Sequence, residues 1–127
     1  ILYCLCLVMI YIKCQRELKK HTKIYMDFFD YVLDDTIICE MMCGAKATDI
    51  HHLERRGMGA GKNSQRNYIE NLMALCRECH IKAEKDSMFN MFCRIKHLEN
   101  VCHQVYAKIE YQKIYENSKN YKWIKNQ

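Results

Sequence analysis

The residues best suited to chemistry lie between Cys39 and His80. They are a Cys39-x-x-x-Cys43 pair, the neighbours His51 and His52, Asn71, and a Cys76-x-x-Cys79 pair running straight into His80. Thiolate pairs two to four residues apart suit a tetrahedral structural zinc site, and the four cysteines could supply one ion with a complete sulfur shell. Four reduced cysteines can also be plain core residues, since a free thiol behaves as a small hydrophobe. The neighbours Glu40, Lys46, Arg77 and Glu78 are polar, however, which favours the metal. The span from Cys43 to Cys76 is longer than a simple zinc ribbon needs, and it leaves room for an inserted hairpin.

Geometry then divides the histidines. On a strand, His51 and His52 point to opposite faces and do not share one task. On a helix, Cys79 and His80 diverge by about 100°, so Cys79 can close the sulfur site while His80 points elsewhere. One histidine of the pair can therefore meet His80 and hold a divalent ion, with positions left open for water and a substrate oxygen. The other histidine can act as general base. Its ordinary pKa of about 6.5 suits proton removal near neutral pH. Asn71 can hold the loop or orient the base through its amide. His21, His97 and His103 read as surface or hydrogen-bonded core residues. Cys4, Cys6, Cys14, Cys93 and Cys102 lack paired spacing and read as packing.

The elements that position these groups are short. The sequence has no proline, so breaks fall to Gly, Asn, Asp and Ser. Lys13 to Lys23 reads as a solvated helix or linker. Ile24 to Leu33 carries apolar residues at helical spacing and predicts a short amphipathic helix. Gly44, directly after Cys43, suits a tight turn that needs positive φ. Ala47 to Leu53 predicts a strand, followed by a loop to Tyr68 in which Gly57, Gly59 and Gly61 alternate among basic residues. Leu72 to Leu75 predicts a second strand and Arg77 to about Asp86 a helix. Phe89 to Lys96 continues as helix, and Val101, Val105 and Ile109 form an apolar stripe on a last one.

Strand, Gly-rich loop, strand and helix, set between two cysteine knuckles, resemble the HNH endonucleases of phage and bacterial type. The resemblance rests on Cys39-Glu40…Cys43-Gly44, Asp49-Ile50-His51-His52, Arg56-Gly57-Met58-Gly59, Ile69 to Cys76 and Arg77-Glu78-Cys79-His80. It covers Ile38 to Glu84. It implies an α+β fold: a small ββα-metal (His-Me finger) domain with a structural zinc site and flanking helices. On that match His51 is a metal ligand, His52 the general base, Asn71 the family's middle asparagine and His80 the second ligand. The reaction implied is metal-dependent hydrolysis of DNA phosphodiester bonds. The cofactors implied are one structural Zn²⁺ on Cys39, Cys43, Cys76 and Cys79, and one catalytic divalent ion, Mg²⁺ first, with Mn²⁺, Ni²⁺ or Zn²⁺ as substitutes. Arg55, Arg56, Lys62, Arg66 and, on the helix, Lys82 are the candidates for contact with the DNA backbone. Such contacts position a substrate without reading its sequence. The first pair is spaced by three residues where the family more often has two, and its loop Gly-Gly is Gly59-Ala60-Gly61 here.

Bulk properties fit this reading without deciding it. A chain of 127 residues supports one domain, and a formal charge of +5 suits an anionic partner. Nine cysteines, an odd number, point to reduced thiols and zinc rather than disulfides, hence to an intracellular setting in a bacterial or infected host cell. The apolar run Ile1 to Ile12 falls short of the roughly 20 residues a membrane span needs. It also lacks the flanks of a signal peptide. No membrane is expected, and the small size without a second DNA-binding domain points either to low sequence specificity or to a partner protein that supplies it. The organisation is thus residues 1–23 as an N-terminal segment set apart from the fold, 24–98 as the HNH domain with its core at 38–86, and 99–127 as a helical extension with a polar tail. The rival function is a non-catalytic, zinc-stabilised nucleic-acid-binding module. A zinc peptidase is disfavoured because His51-His52-Leu53-Glu54 lacks the helical His-Glu-x-x-His spacing.

Overall fold

Leu72–Leu75 is a continuous apolar run, the pattern of a strand covered on both faces. In a computed structural model of the chain all four residues are buried in strand β2. The structure describes residues 18–55 and 65–119. In chain order the elements are helix α1 (Lys20–Phe28), strand β1 (Asp49–His52), a 3₁₀ turn (Ile69–Asn71), β2 (Leu72–Leu75), α2 (Arg77–Lys85) and α3 (Ser87–Ser118). The strands pair antiparallel with Asp49 opposite Leu75 and His52 opposite Leu72. Strand alternation then creates two cores. Met73 and Leu75 pack with Leu53, Ala83, Cys93 and the knuckle residues Cys39, Cys76 and Cys79. Leu72 and Ala74 pack with Tyr25, Ile24, Phe29, Ile50 and Ile69 on the α1 side.

The expected helix over Ile24 to Leu33 instead begins at Lys20 and ends at Phe28. It stops because Asp30 takes a left-handed conformation, φ 59°. The Phe28 carbonyl at that end accepts from Lys108 Nζ at 2.7 Å and Gln104 Nε2 at 3.3 Å, both on α3. Groups that a helix terminus leaves without intrahelical partners are thus satisfied by a neighbouring element. Asp86 separates α2 from α3, and its carboxylate accepts from Met88 N and Phe89 N as an N-cap. The positions 23/24 and 98/99, taken as domain boundaries from the sequence, lie within α1 and α3 respectively. Among the described residues no helix is long and apolar enough to cross a membrane.

The first knuckle docks on the outer edge of β2 through Glu40. Its backbone N donates to Ala74 O at 3.0 Å, and its Oε2 accepts from Ala74 N at 3.0 Å. The same carboxylate accepts from Asn100 Nδ2 at 3.0 Å and lies 3.0–3.1 Å from His97 Nδ1. His97 Nε2 donates to Ile69 O at 2.6 Å, so α3, the knuckle and the 3₁₀ turn share one buried polar junction. His97 is therefore a satisfied core histidine, as its isolated place in the sequence suggested. Burial, followed by the charge of Glu40, pushes the Tyr25 phenol far up and keeps it protonated.

Removing one partner of a buried pair strands the other. Glu40→Leu is expected to lower unfolding free energy by about 3–5 kcal/mol in urea titrations of the zinc-loaded protein. Adding His97→Phe should recover part of that loss, because both buried polar groups are then gone. Equal stability of the Glu40→Leu variant and wild type would contradict this account.

Candidate metal sites and catalytic constellation

The sulfur site is assembled from two turns. In the first, Ile38 bridges Lys46, Cys39 N donates to Ala45 O at 2.9 Å, and Met42 and Gly44 take φ 57° and 82°. A Cβ on Gly44 would meet nothing within 4 Å, so glycine there serves the backbone angle alone. In the second, Cys76 caps α2, its Sγ accepting from Cys79 N at 3.4 Å. The four Sγ atoms lie within 4.8 Å of one another, and Cys43 and Cys76 stand 3.6 Å apart. Sulfurs bound to zinc at ~2.3 Å in a tetrahedron are ~3.8 Å apart, whereas a disulfide holds them at ~2.05 Å. The quartet can hold a metal ion such as zinc. Burial pushes the Cys39 and Cys79 thiols up, while the Ala45 backbone hydrogen bond lowers Cys43.

The histidines follow from the strand register. His51 shares a face of the sheet with Asp49, Met73 and Leu75, and that face is turned toward α2. Its ring lies 4.9 Å from that of His80, centroid to centroid. His51 Nε2 is 2.8 Å from Asn90 Oδ1, and Asn90 Nδ2 donates to Leu53 O at 2.9 Å. The second bond fixes the amide, so Nε2 of His51 is the donor and Nδ1 carries the lone pair a metal needs. Burial, the largest influence, lowers the His51 pKa and keeps the ring neutral.

His80 sits between two carboxylates, with Asp49 Oδ2 3.2 Å from Nδ1 and Glu84 Oε1 3.3 Å from Nε2. Its Nδ1 is buried without a hydrogen-bond partner, because Asp49 lies at ion-pair distance but off the line of an N–H bond. Burial pushes the Asp49 carboxyl up, but contacts with His80 and Arg77 outweigh it and hold the group below the usual carboxylate range. His80 thus has an orphaned ring nitrogen, a second imidazole and two carboxylates around it, but among the described residues it is the four cysteines whose ligand atoms converge within 4.8 Å.

His52 is on the other face. Its Nε2 lies 2.8 Å from Asn67 Oδ1, and its ring meets the His21 ring edge-on at 4.9 Å. With Asn67 Oδ1 as acceptor, Nε2 is the donor of this bond.

Asn71 is buried between the strands and fastens the loop that joins them. Its Oδ1 accepts from Glu54 N at 2.6 Å, and its Nδ2 donates to Glu54 O at 3.0 Å and Arg66 O at 2.9 Å. Asn71→Ala is expected to cost about 1–3 kcal/mol in urea unfolding, since the amide's partners lose their bonds. Asn71→Asp, which keeps only the acceptor, should also destabilise. Wild-type stability in both variants would remove the fastening role.

Residues 39–86 match a family model described as HNH endonuclease. This segment is similar to the HNH endonuclease family. No curated protein and no solved structure matches the chain. His21 and Asn90, which touch the two strand histidines, lie outside the matched segment. With Asn67, they had no signal in the sequence, because their contacts depend on how α1, α3 and the loop pack. Asp49 and Glu84 did have one: Asp49 is two residues before His51 on a strand, and Glu84 is one helical turn after His80.

Among the described residues the basic candidates are already engaged. Arg55 Nη2 donates to Glu84 O at 3.1 Å, Arg66 pairs with Glu54, and Lys82 Nζ lies 4.5 Å above the Phe89 ring. Arg56 and Lys62 lie outside the described residues.

Proposed function

We propose that the HNH domain hydrolyses DNA phosphodiester bonds, with His52 as general base and His51 and His80 as ligands of a divalent ion. The observation that carries this reading is the separation of the adjacent histidines. His51 faces His80 and two carboxylates, while His52 faces Asn67 and His21. One side gathers imidazoles and carboxylates of the kind that bind a cation, and the other presents a separate imidazole for proton transfer.

His52 would take the proton of a water attacking phosphorus as the bond to the 3′ oxygen breaks. When bound, a divalent ion would offset the charge growing on the phosphate and on that departing oxygen. Asn90 orients His51 through Nε2, and Asn71 holds the chain directly after His52 through Glu54. Two imidazoles with Asp49 and Glu84 nearby suit Mn²⁺ or Ni²⁺ as well as Mg²⁺. Arg77, 3.3 Å from Asp49, and the basic loop would add positive charge for a phosphate backbone.

The test is conversion of supercoiled plasmid to nicked or linear DNA with Mg²⁺, Mn²⁺ or Ni²⁺, comparing wild type with His52→Ala. Salt-sensitive DNA binding without cutting under any of these ions would instead favour the non-catalytic binding module.

A further inference from the structure

Helix α3 has two apolar faces, and the fold uses only one. Cys93, His97 and Val101 are buried against the HNH domain. On another face, Met88, Met91, Ile95, Leu98, Cys102, Val105 and Ile109 follow one another at steps of three and four residues. This is an uninterrupted heptad seam, and it ends where Gln112 and Glu116 take the next two positions. Every member is exposed, the six apart from Cys102 between 40 and 57 %. At 1.5 Å per residue the seam runs for about 33 Å. An apolar repeat of 3.5 residues marks a helix that supercoils around another helix, rather than one lying on a globular core.

We propose that this face pairs with the same face of a second copy of the chain, as a parallel two-stranded coiled coil. The residue types specify the partner. Ile95 and Ile109 occupy the first core position of their heptads and Leu98 the fourth, a combination that favours two parallel strands. Charge agrees with that direction. Arg94 and Glu99 flank the seam at the positions that meet across a parallel pair, so each Arg94 faces the partner's Glu99. Arg94 has no ion-pair partner among the described residues, and Glu99 has only Lys96, at 3.7 Å. The like-charged candidates across the same pair, Lys108 and Lys113, are already paired within their own chain with Asp30 and Glu110.

Area agrees as well. With the flanking Phe92 and Tyr106, which are more than half exposed, the seam offers on the order of 600 Å² per copy. Two copies would bury about 1,200 Å², the lower bound for a stable specific interface.

The pairing is independent of the nuclease reading, since the seam residues are exposed and the partners described for His51, His52 and His80 are other residues. Analytical ultracentrifugation of the full zinc-loaded chain should give twice the single-chain mass of 15.3 kDa at tens of micromolar. Ile95→Glu with Leu98→Glu should raise the dissociation constant by more than about 100-fold, with zinc content and far-UV circular dichroism unchanged. Arg94→Glu should weaken the pair, and Arg94→Glu combined with Glu99→Arg should restore it. A single-chain mass for wild type would overturn the proposal, including the case in which residues 1–17 cover the seam. So would a two-chain mass that persists in the double glutamate variant.

Discussion

His52→Ala is expected to cut plasmid about 10²–10⁴-fold more slowly than wild type, the usual cost of removing a general base. That corresponds to about 2.7–5.4 kcal/mol of transition-state stabilisation. The substitution is clean because of where His52 points. It lies on the α1 side of the sheet, away from the His51 and His80 face and from the four cysteines. Its variant should therefore keep the structural zinc, the fold and the affinity for a second divalent ion. His80→Ala should show the complementary pattern, losing the second ion while retaining zinc. Cleavage by His52→Ala within a few fold of wild type, under the same ion and salt, would remove His52 from the role of base.

The largest expected effect on stability comes from the sulfur site. Cys76→Ser should lose stoichiometric zinc and unfold the first knuckle, β2 and the start of α2 together. Structural zinc binding in small domains is worth about 10–16 kcal/mol in apparent free energy at neutral pH, comparable to or greater than the whole stability of a typical domain. Serine is a good helix N-cap, so this substitution preserves the cap that Cys76 now provides and isolates the loss of the thiolate. Metal analysis and thermal melts followed by circular dichroism would measure both consequences. A strong chelator should reproduce them in wild type, whereas Cys102→Ser, on the exposed seam, should keep its zinc. Retention of tight zinc and a wild-type melting temperature by Cys76→Ser would contradict the four-cysteine assignment.

Much of this site was legible before folding because its information is local. Cysteine spacing brought Cys39 toward Cys43 and Cys76 toward Cys79. Strand alternation separated His51 from His52, and helical splay turned His80 away from Cys79. The apolar run Leu72–Leu75 marked its own strand, since burial on both faces leaves no room for a polar residue. The same two periodicities would have found Asp49 and Glu84.

Other features belong to the tertiary structure, because they join residues whose proximity no local pattern encodes. Glu40, which the sequence offered only as a polar neighbour of the knuckle, meets His97 across 57 positions. That junction exists only once α3 lies against the edge of β2. His21 reaches His52 because α1 covers one sheet face, and Asn90 reaches His51 because Asp86 turns the chain between α2 and α3. The apolar stripe of the last helix divides in the same way. Sequence alone determined that α3 carries apolar residues at helical spacing. Packing decided which of them enter the core, and it left the heptad seam from Met88 to Ile109 exposed, because a helix can press only one face against a single sheet.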